Sequence, residues 1–136
     1  MDTISLLKRK PVAEHTLDSG RFVFYPNISV AEVHEGMHIT FEKIADILMV
    51  AQDVYGKTTP FVYISNRINS YSIDPLGYYE AIKLFPNLKA YAIVSENKNR
   101  QTLALLEKLF IKKPIHIFSD LESAFKWSEE MISKSV

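Results

Sequence analysis

A chain of 136 residues, 47% hydrophobic and 24% charged, is expected to form one domain with a substantial core. Sixteen Lys and Arg against sixteen Asp and Glu leave no net charge, which argues against a general binder of nucleic acid or of anionic membranes. The absence of cysteine excludes disulfides, thiolate catalysis and cysteine metal sites. Residues 1–3 do not open a basic-then-apolar leader, and no apolar run is long enough to span a bilayer, so the expected compartment is the cytoplasm.

Residues 4–7 read as a short strand or loose arm, and Leu17-Asp18-Ser19-Gly20 carries turn chemistry. Residues 21–25 and 28–34 are strand-like on either side of Pro26-Asn27, predicting an antiparallel pair at a sheet edge. Thr40 is a good N-cap. After it Phe41, Ile44, Ala45, Leu48, Ala51 and Tyr55 recur at helical spacing, with Gly56 where a C-terminal cap belongs. The run Phe61-Val62-Tyr63-Ile64-Ser65 predicts a buried strand. A polar stretch, residues 67–74, leads to Asp74 as N-cap and Pro75 at the first position of a second helix.

Residues 88–95 predict the next buried strand. Asn97 is placed to cap a helix on which Leu103, Leu106 and Phe110 recur on one face, flanked by Leu105 and Leu109. Pro114-Ile115-His116-Ile117-Phe118 predicts a third short strand, and Ser119 with Glu122 reads as a capping box. The final helix should turn Leu121, Ala124, Phe125 and Ile132 inward, with Trp127 and Met131 at the margin. This order predicts an α/β fold, a mixed but largely parallel sheet flanked by helices, with antiparallel strands at the N-terminal edge.

Four catalytic signatures bear on function. His34-Glu35-Gly36-Met37-His38 spells H-E-x-x-H, whose zinc chemistry needs both histidines on one helical face. Here the preceding residues alternate as a strand, Gly36 disfavours helix, and the helix starts only after Thr40. No phosphate-binding glycine loop and no G-x-S-x-G elbow occurs. At the strand end where a phospho-receiver needs aspartate, the chain has Ser65-Asn66. No cofactor and no catalytic residue is therefore expected.

The carboxyl ends of the parallel strands should form the natural crevice, collecting Ser65, Asn66, Arg67, Asn69, Ser72, Ser95, Asn97 and Arg100. Arg67 and Arg100 with free backbone N–H groups would suit an anion there. The more ordinary reading of the same residues is as caps and turns that bond locally.

Ala92-Ile93-Val94 before a helix, Phe118-Ser119-Asp120 at a strand end, and Ala124-Phe125-Lys126-Trp127 in the last helix resemble the SpoIIAA-like group of small bacterial proteins, over about residues 28–131. That group shares the fold of STAS domains, the anti-sigma-factor antagonists. The resemblance implies a compact module without catalytic activity that works through protein contacts or small-ligand binding. The STAS phospho-switch needs an Asp-Ser-Ser/Ala-Gly type turn, whereas this chain reads Asn69-Ser70-Tyr71-Ser72-Ile73-Asp74, leaving Ser70 and Ser72 as candidates by position alone.

The expectation is a non-enzymatic regulatory or interaction module with a protein partner, without nucleic acid or membrane. Tyr71, Tyr78 and Tyr79 suggest a homodimer. The alternative is a carrier of a small apolar or lipid ligand, which would need a cavity lined by residues such as Phe85, Phe110 and Phe118. A carrier should be hollow, an interaction module should have a solid core and an exposed apolar patch, and an enzyme should converge acid, base or nucleophile groups in one cleft.

Overall fold

Apolar runs of strand length alternate with helical patterns along the second half of the chain, and a computed structural model, which describes residues 10–134, shows how they pair. The main sheet has six strands: β1 (Ala13–Leu17), β2 (Gly20–Phe24), β3 (Ile28–Val33), β5 (Phe61–Asn66), β7 (Leu88–Val94) and β8 (Ile115–Phe118), in that spatial order. β1, β2 and β3 are antiparallel, and β3, β5, β7 and β8 run parallel. Two short strands, β4 (His38–Ile39) and β6 (Ser72–Ile73), pair in parallel as a separate ribbon.

The helices are α1 (Phe41–Tyr55), α2 (Pro75–Lys83), α3 (Lys98–Ala104) continued by a 3-10 turn (Leu105–Leu109), and α4 (Leu121–Ser133). Each parallel strand lies beside its predecessor, so α1, α2 and α3 connect neighbouring strands and contribute to one apolar layer. α4 contributes Leu121, Ala124 and Phe125 to the other layer.

Side-chain size alternates across the central strands. In β7, Tyr91 and Ile93 face the α1/α2 layer, while Ala90 and Ala92 face α4. The small alanines leave room for Phe125, which is fully buried and meets Tyr25 edge-on at 5.7 Å. The ladder opposes Phe61 to Leu88 and Val62 to Ala90, so Lys89 is an extra residue. The bulge puts Leu88 and Tyr91, three residues apart, on the same face. On that face Tyr55 stacks on Phe61 at 4.2 Å and donates its hydroxyl to the Tyr25 carbonyl at 2.6 Å. Asn87 donates to the carbonyls of Tyr55, Gly56 and Thr59 and so fixes the path from α1 into β5.

The caps on Thr40, Asp74 and Asn97 form as their sequence contexts require. Gly77, a poor helix former, has a packing role: a Cβ there would lie 2.8 Å from the Phe41 nitrogen, so only glycine lets α2 sit against the start of α1.

Two expectations need correction. Ala13–Leu17 is a strand, so the sheet edge falls one strand earlier than the hairpin around Pro26-Asn27. The Ser119–Glu122 capping box does not form. Asp120 caps α4 instead, accepting from the Ser123 backbone N–H at 2.8 Å. The expected arm at residues 4–7 lies outside the described residues.

Ile64 and Ile93 are fully buried in adjacent strands but on opposite faces of the sheet. Replacing either by alanine should cost about 2–5 kcal/mol, from lost transfer energy plus a cavity. Urea or guanidinium melts read this directly, and losses under about 1 kcal/mol for both would contradict the two-layer packing.

Candidate functional site

β5 ends in Ser65-Asn66, and the chain then turns under the carboxyl edge of the sheet. This turn brings Arg67 back beneath the strands rather than out to solvent. Its guanidinium forms a two-pronged ion pair with Glu107 of the 3-10 turn: Nη1 to Oε2 at 2.6 Å and Nη2 to Oε1 at 2.7 Å. Both side chains are nearly buried, at 12% and 7% exposure. Arg67 also donates through Nη2 to the Tyr91 hydroxyl and through Nε to Ser65 Oγ, each at 3.0 Å. Tyr91 donates in turn to Glu107 Oε1 at 2.9 Å, and Ser65 Oγ shares a hydrogen bond with the Tyr71 hydroxyl. The Tyr71 ring lies against the guanidinium, and Tyr63 and Tyr78 pack on Tyr91.

Such a network is stable only because its strongest donors and acceptors meet partners. Burial acts to lower the Arg67 pKa, but Tyr91 and the hydrogen bond to Glu107 outweigh it, and the net shift is upward. Burial pushes the Tyr63, Tyr78 and Tyr91 hydroxyls well up, with the nearby Glu107 carboxylate adding to the shift at Tyr91.

The pair also sets how the segment at residues 98–111 is rotated. With Glu107 drawn in, the buried positions are Ala104, Glu107 and Ile111. The leucines that share a face in the sequence are thereby turned outward: Leu103 is 65% exposed, Leu105 47%, Leu106 56% and Leu109 73%. Sequence periodicity read Leu103, Leu106 and Phe110 as one face of a single helix, but the helix ends at Ala104 and gives way to the 3-10 turn, with Phe110 half-buried beyond it. Periodicity also missed the inward residue, a glutamate, whose partner Arg67 is forty positions away.

A crevice of about 320 Å³ lies at the strand ends, lined by Asn66, Arg67, Ser95, Asn97, Arg100 and Asp120 among others. Five residues of the expected crevice thus come together there. Ser65 is buried below it, and Asn69 turns away to donate to the Val33 carbonyl. Asn66 donates to Glu32, and Asn97 accepts from the Arg100 N–H as the α3 cap. With Arg67 held by Glu107, Arg100 shares the crevice with the carboxylates of Glu96 and Asp120, so its charges do not single out an anion.

Ser70 and Ser72 are exposed but lie apart from the crevice. The Ser70 N–H donates to Glu35, and Ser72 Oγ bonds His38 Nδ1 at 2.7 Å. The H-E-x-x-H stretch is a turn that leads from β3 into β4, which opens at His38, with Gly36 at φ 77°, a region that favours glycine. His34 bonds the Asp18 carbonyl, so the two histidines serve different partners. Among the described residues no three His, Asp or Glu side chains converge as a metal site.

A second, apolar cavity of about 100 Å³ lies between the sheet and α1/α2, lined by Phe22, Ile47, Phe61, Phe85 and Tyr91 among others. Phe85 borders it as a carrier would require. Phe110 does not, and Phe118 packs on Trp127 instead. A cavity of about 150 Å³ holds one benzene, so this one has no room for a lipid chain.

No model of a known protein family matches the chain, and no curated protein matches it. Among solved structures, the chain is similar to an uncharacterised protein of the DUF3478 family with a SpoIIAA-like fold from Shewanella loihica PV-4. Identity is 16% and the TM-score is 0.51, over 85% of this chain and 90% of that one. The chain therefore has a SpoIIAA-like fold, as the motifs around Ala92, Phe118 and Trp127 implied.

Two measurements test the buried network. Arg67→Ala or Glu107→Ala should each cost about 3–5 kcal/mol in denaturant melts, because each strands a buried charge. Arg67→Met combined with Glu107→Leu should recover most of that loss, and equal losses for single and double variants would mean the pair is not coupled.

Stability should also fall at alkaline pH. Tyr63, Tyr78 and Tyr91 hold their protons more tightly in the folded than in the unfolded chain, where the ordinary value is 10.0. Their contribution is intact below that value and is lost as pH rises above it, because only the unfolded chain then releases protons. Melting temperatures unchanged between pH 9 and 11 would contradict the burial of these hydroxyls.

Proposed function

We infer that the protein is a non-catalytic contact module whose working surface is the leucine face of α3 and the 3-10 turn. The observation that supports this is the exposure of Leu103, Leu105, Leu106 and Leu109 within seven consecutive residues. Single exposed leucines are ordinary on protein surfaces, whereas a cluster of four is the mark of a surface that is covered when the protein works.

The chemistry of the buried network favours the same reading. Arg67, Glu107, Tyr91 and Ser65 satisfy one another, which suits a device that holds a segment in place more than one that transfers protons to a substrate. The carrier alternative has one supporting feature, the apolar cavity beside α1 and α2, whose size limits it to very small neutral molecules.

Carbene footprinting of the chain in cells and in pure solution tests the contact reading. Leu103, Leu106 and Leu109 should be labelled in solution and protected in cells, while Met49, an exposed apolar residue on α1, should be labelled equally in both. Equal labelling of the leucines in both settings would sink the reading. Leu103→Ser with Leu106→Ser should shift stability by less than about 1 kcal/mol, as expected of surface positions.

A further inference from the structure

We propose that the leucine face docks on the surface of an anionic phospholipid bilayer. This names the occupant of the contact surface inferred above and rests on that inference.

The zero net charge of the chain conceals a strong local imbalance. Residues 98–113 carry five cations, Lys98, Arg100, Lys108, Lys112 and Lys113, and a single acid, Glu107. Glu107 is buried and neutralised by Arg67, which lies outside the segment. None of the five cations forms an ion pair among the described residues. The rest of the chain holds eleven cations and fifteen acids, so the positive charge is concentrated in the segment that bears the exposed leucines, although Arg100 at its start shares the strand-end crevice with Glu96 and Asp120.

The kinds of residue present favour a bilayer over a protein. Protein interfaces are enriched in aromatic residues, methionine and arginine and depleted in lysine, and their strongest contacts are Trp, Tyr and Arg. Here the exposed apolar groups are all leucine and four of the five cations are lysine. Leucines flanked by basic residues are the signature of an element that lies in the headgroup boundary. Lysine stems extend along the apolar layer while their ammonium groups reach lipid phosphates. A second copy of the chain docking by the same face would set five cations against five.

The geometry suits shallow insertion. The 3-10 winding of Leu105–Leu109 brings residues three apart into line, so Leu106 and Leu109 project together. Glu107, on the opposite side of the same turn, is bolted to Arg67, and the leucines are thus presented by a fixed support. No helix of the described residues is long and apolar enough to cross a membrane, which is consistent with an element that lies on the surface.

The test is co-sedimentation of the purified full chain with vesicles. The chain should bind vesicles of one-third phosphatidylglycerol and two-thirds phosphatidylcholine, and should bind pure phosphatidylcholine at least about tenfold more weakly. Raising the salt concentration should release it. Leu103→Ser with Leu106→Ser, and separately Lys108→Glu with Lys112→Glu, should each weaken binding about tenfold or more while melting temperature and circular dichroism stay as in the parent. Met49→Ser should bind like the parent.

Equal binding to neutral and anionic vesicles, or binding that ignores the leucine changes, would overturn the proposal. So would a dimer in sedimentation that the two serines dissolve, which would assign the face to a second copy. Protection of the leucines in cells with no vesicle binding would leave the contact surface standing and assign it to an acidic protein.

Discussion

The ion pair between Arg67 and Glu107 is the constraint on which the functional surface depends. It joins the end of a central strand to a turn forty residues further on. Two charges at this depth gain little over a well-packed apolar pair, since desolvation offsets most of their attraction. Their value lies in specificity. A leucine-rich segment left to the hydrophobic effect would roll its leucines onto the sheet. With Glu107 committed to Arg67, that rotation would strand a buried arginine, so the leucines stay in solvent.

The same economy of position appears in the sheet. β7 is large on one face and small on the other, and the extra residue at Lys89 shifts the phase of the alternation at one end. Tyr91 serves both purposes of its face: its ring packs among Tyr63 and Tyr78, and its hydroxyl completes the Arg67–Glu107 network. A phenylalanine there would fill the space and leave the pair short of a partner.

Much of this fold is legible in the sequence because it is written in local terms. Thr40, Asp74 and Asn97 stand before helical patterns and cap them, and the largely apolar runs at residues 61–65 and 88–94 become the central strands. The first strand was less legible because Ala13–Leu17 lies at the edge, where most side chains are exposed and no apolar alternation is demanded. At the final helix Asp120 won over Ser119, since a carboxylate one residue later reaches the free N–H of Ser123. The site was legible only as a place. Strand-end logic gathers Asn66, Arg67, Ser95, Asn97 and Arg100, but whether Arg67 faces solvent or the core is decided by Glu107, and no local pattern links positions so far apart. The direction of the leucines follows from that pairing and was unreadable for the same reason.

The placement of the helices has a consequence for how the chain is made. Three of them stand on one side of the sheet and arrive as their strands are synthesised, so that side is covered progressively. The other side, with Val23, Val30, Ile64 and Ala92, waits for α4. Until residues 121–133 emerge from the ribosome, a nearly finished sheet has one bare apolar flank, open to chaperones and to neighbouring nascent chains. The last helix is therefore less an addition to the fold than its closure, and a ribosome stalled ahead of it would hold a sticky half-protein.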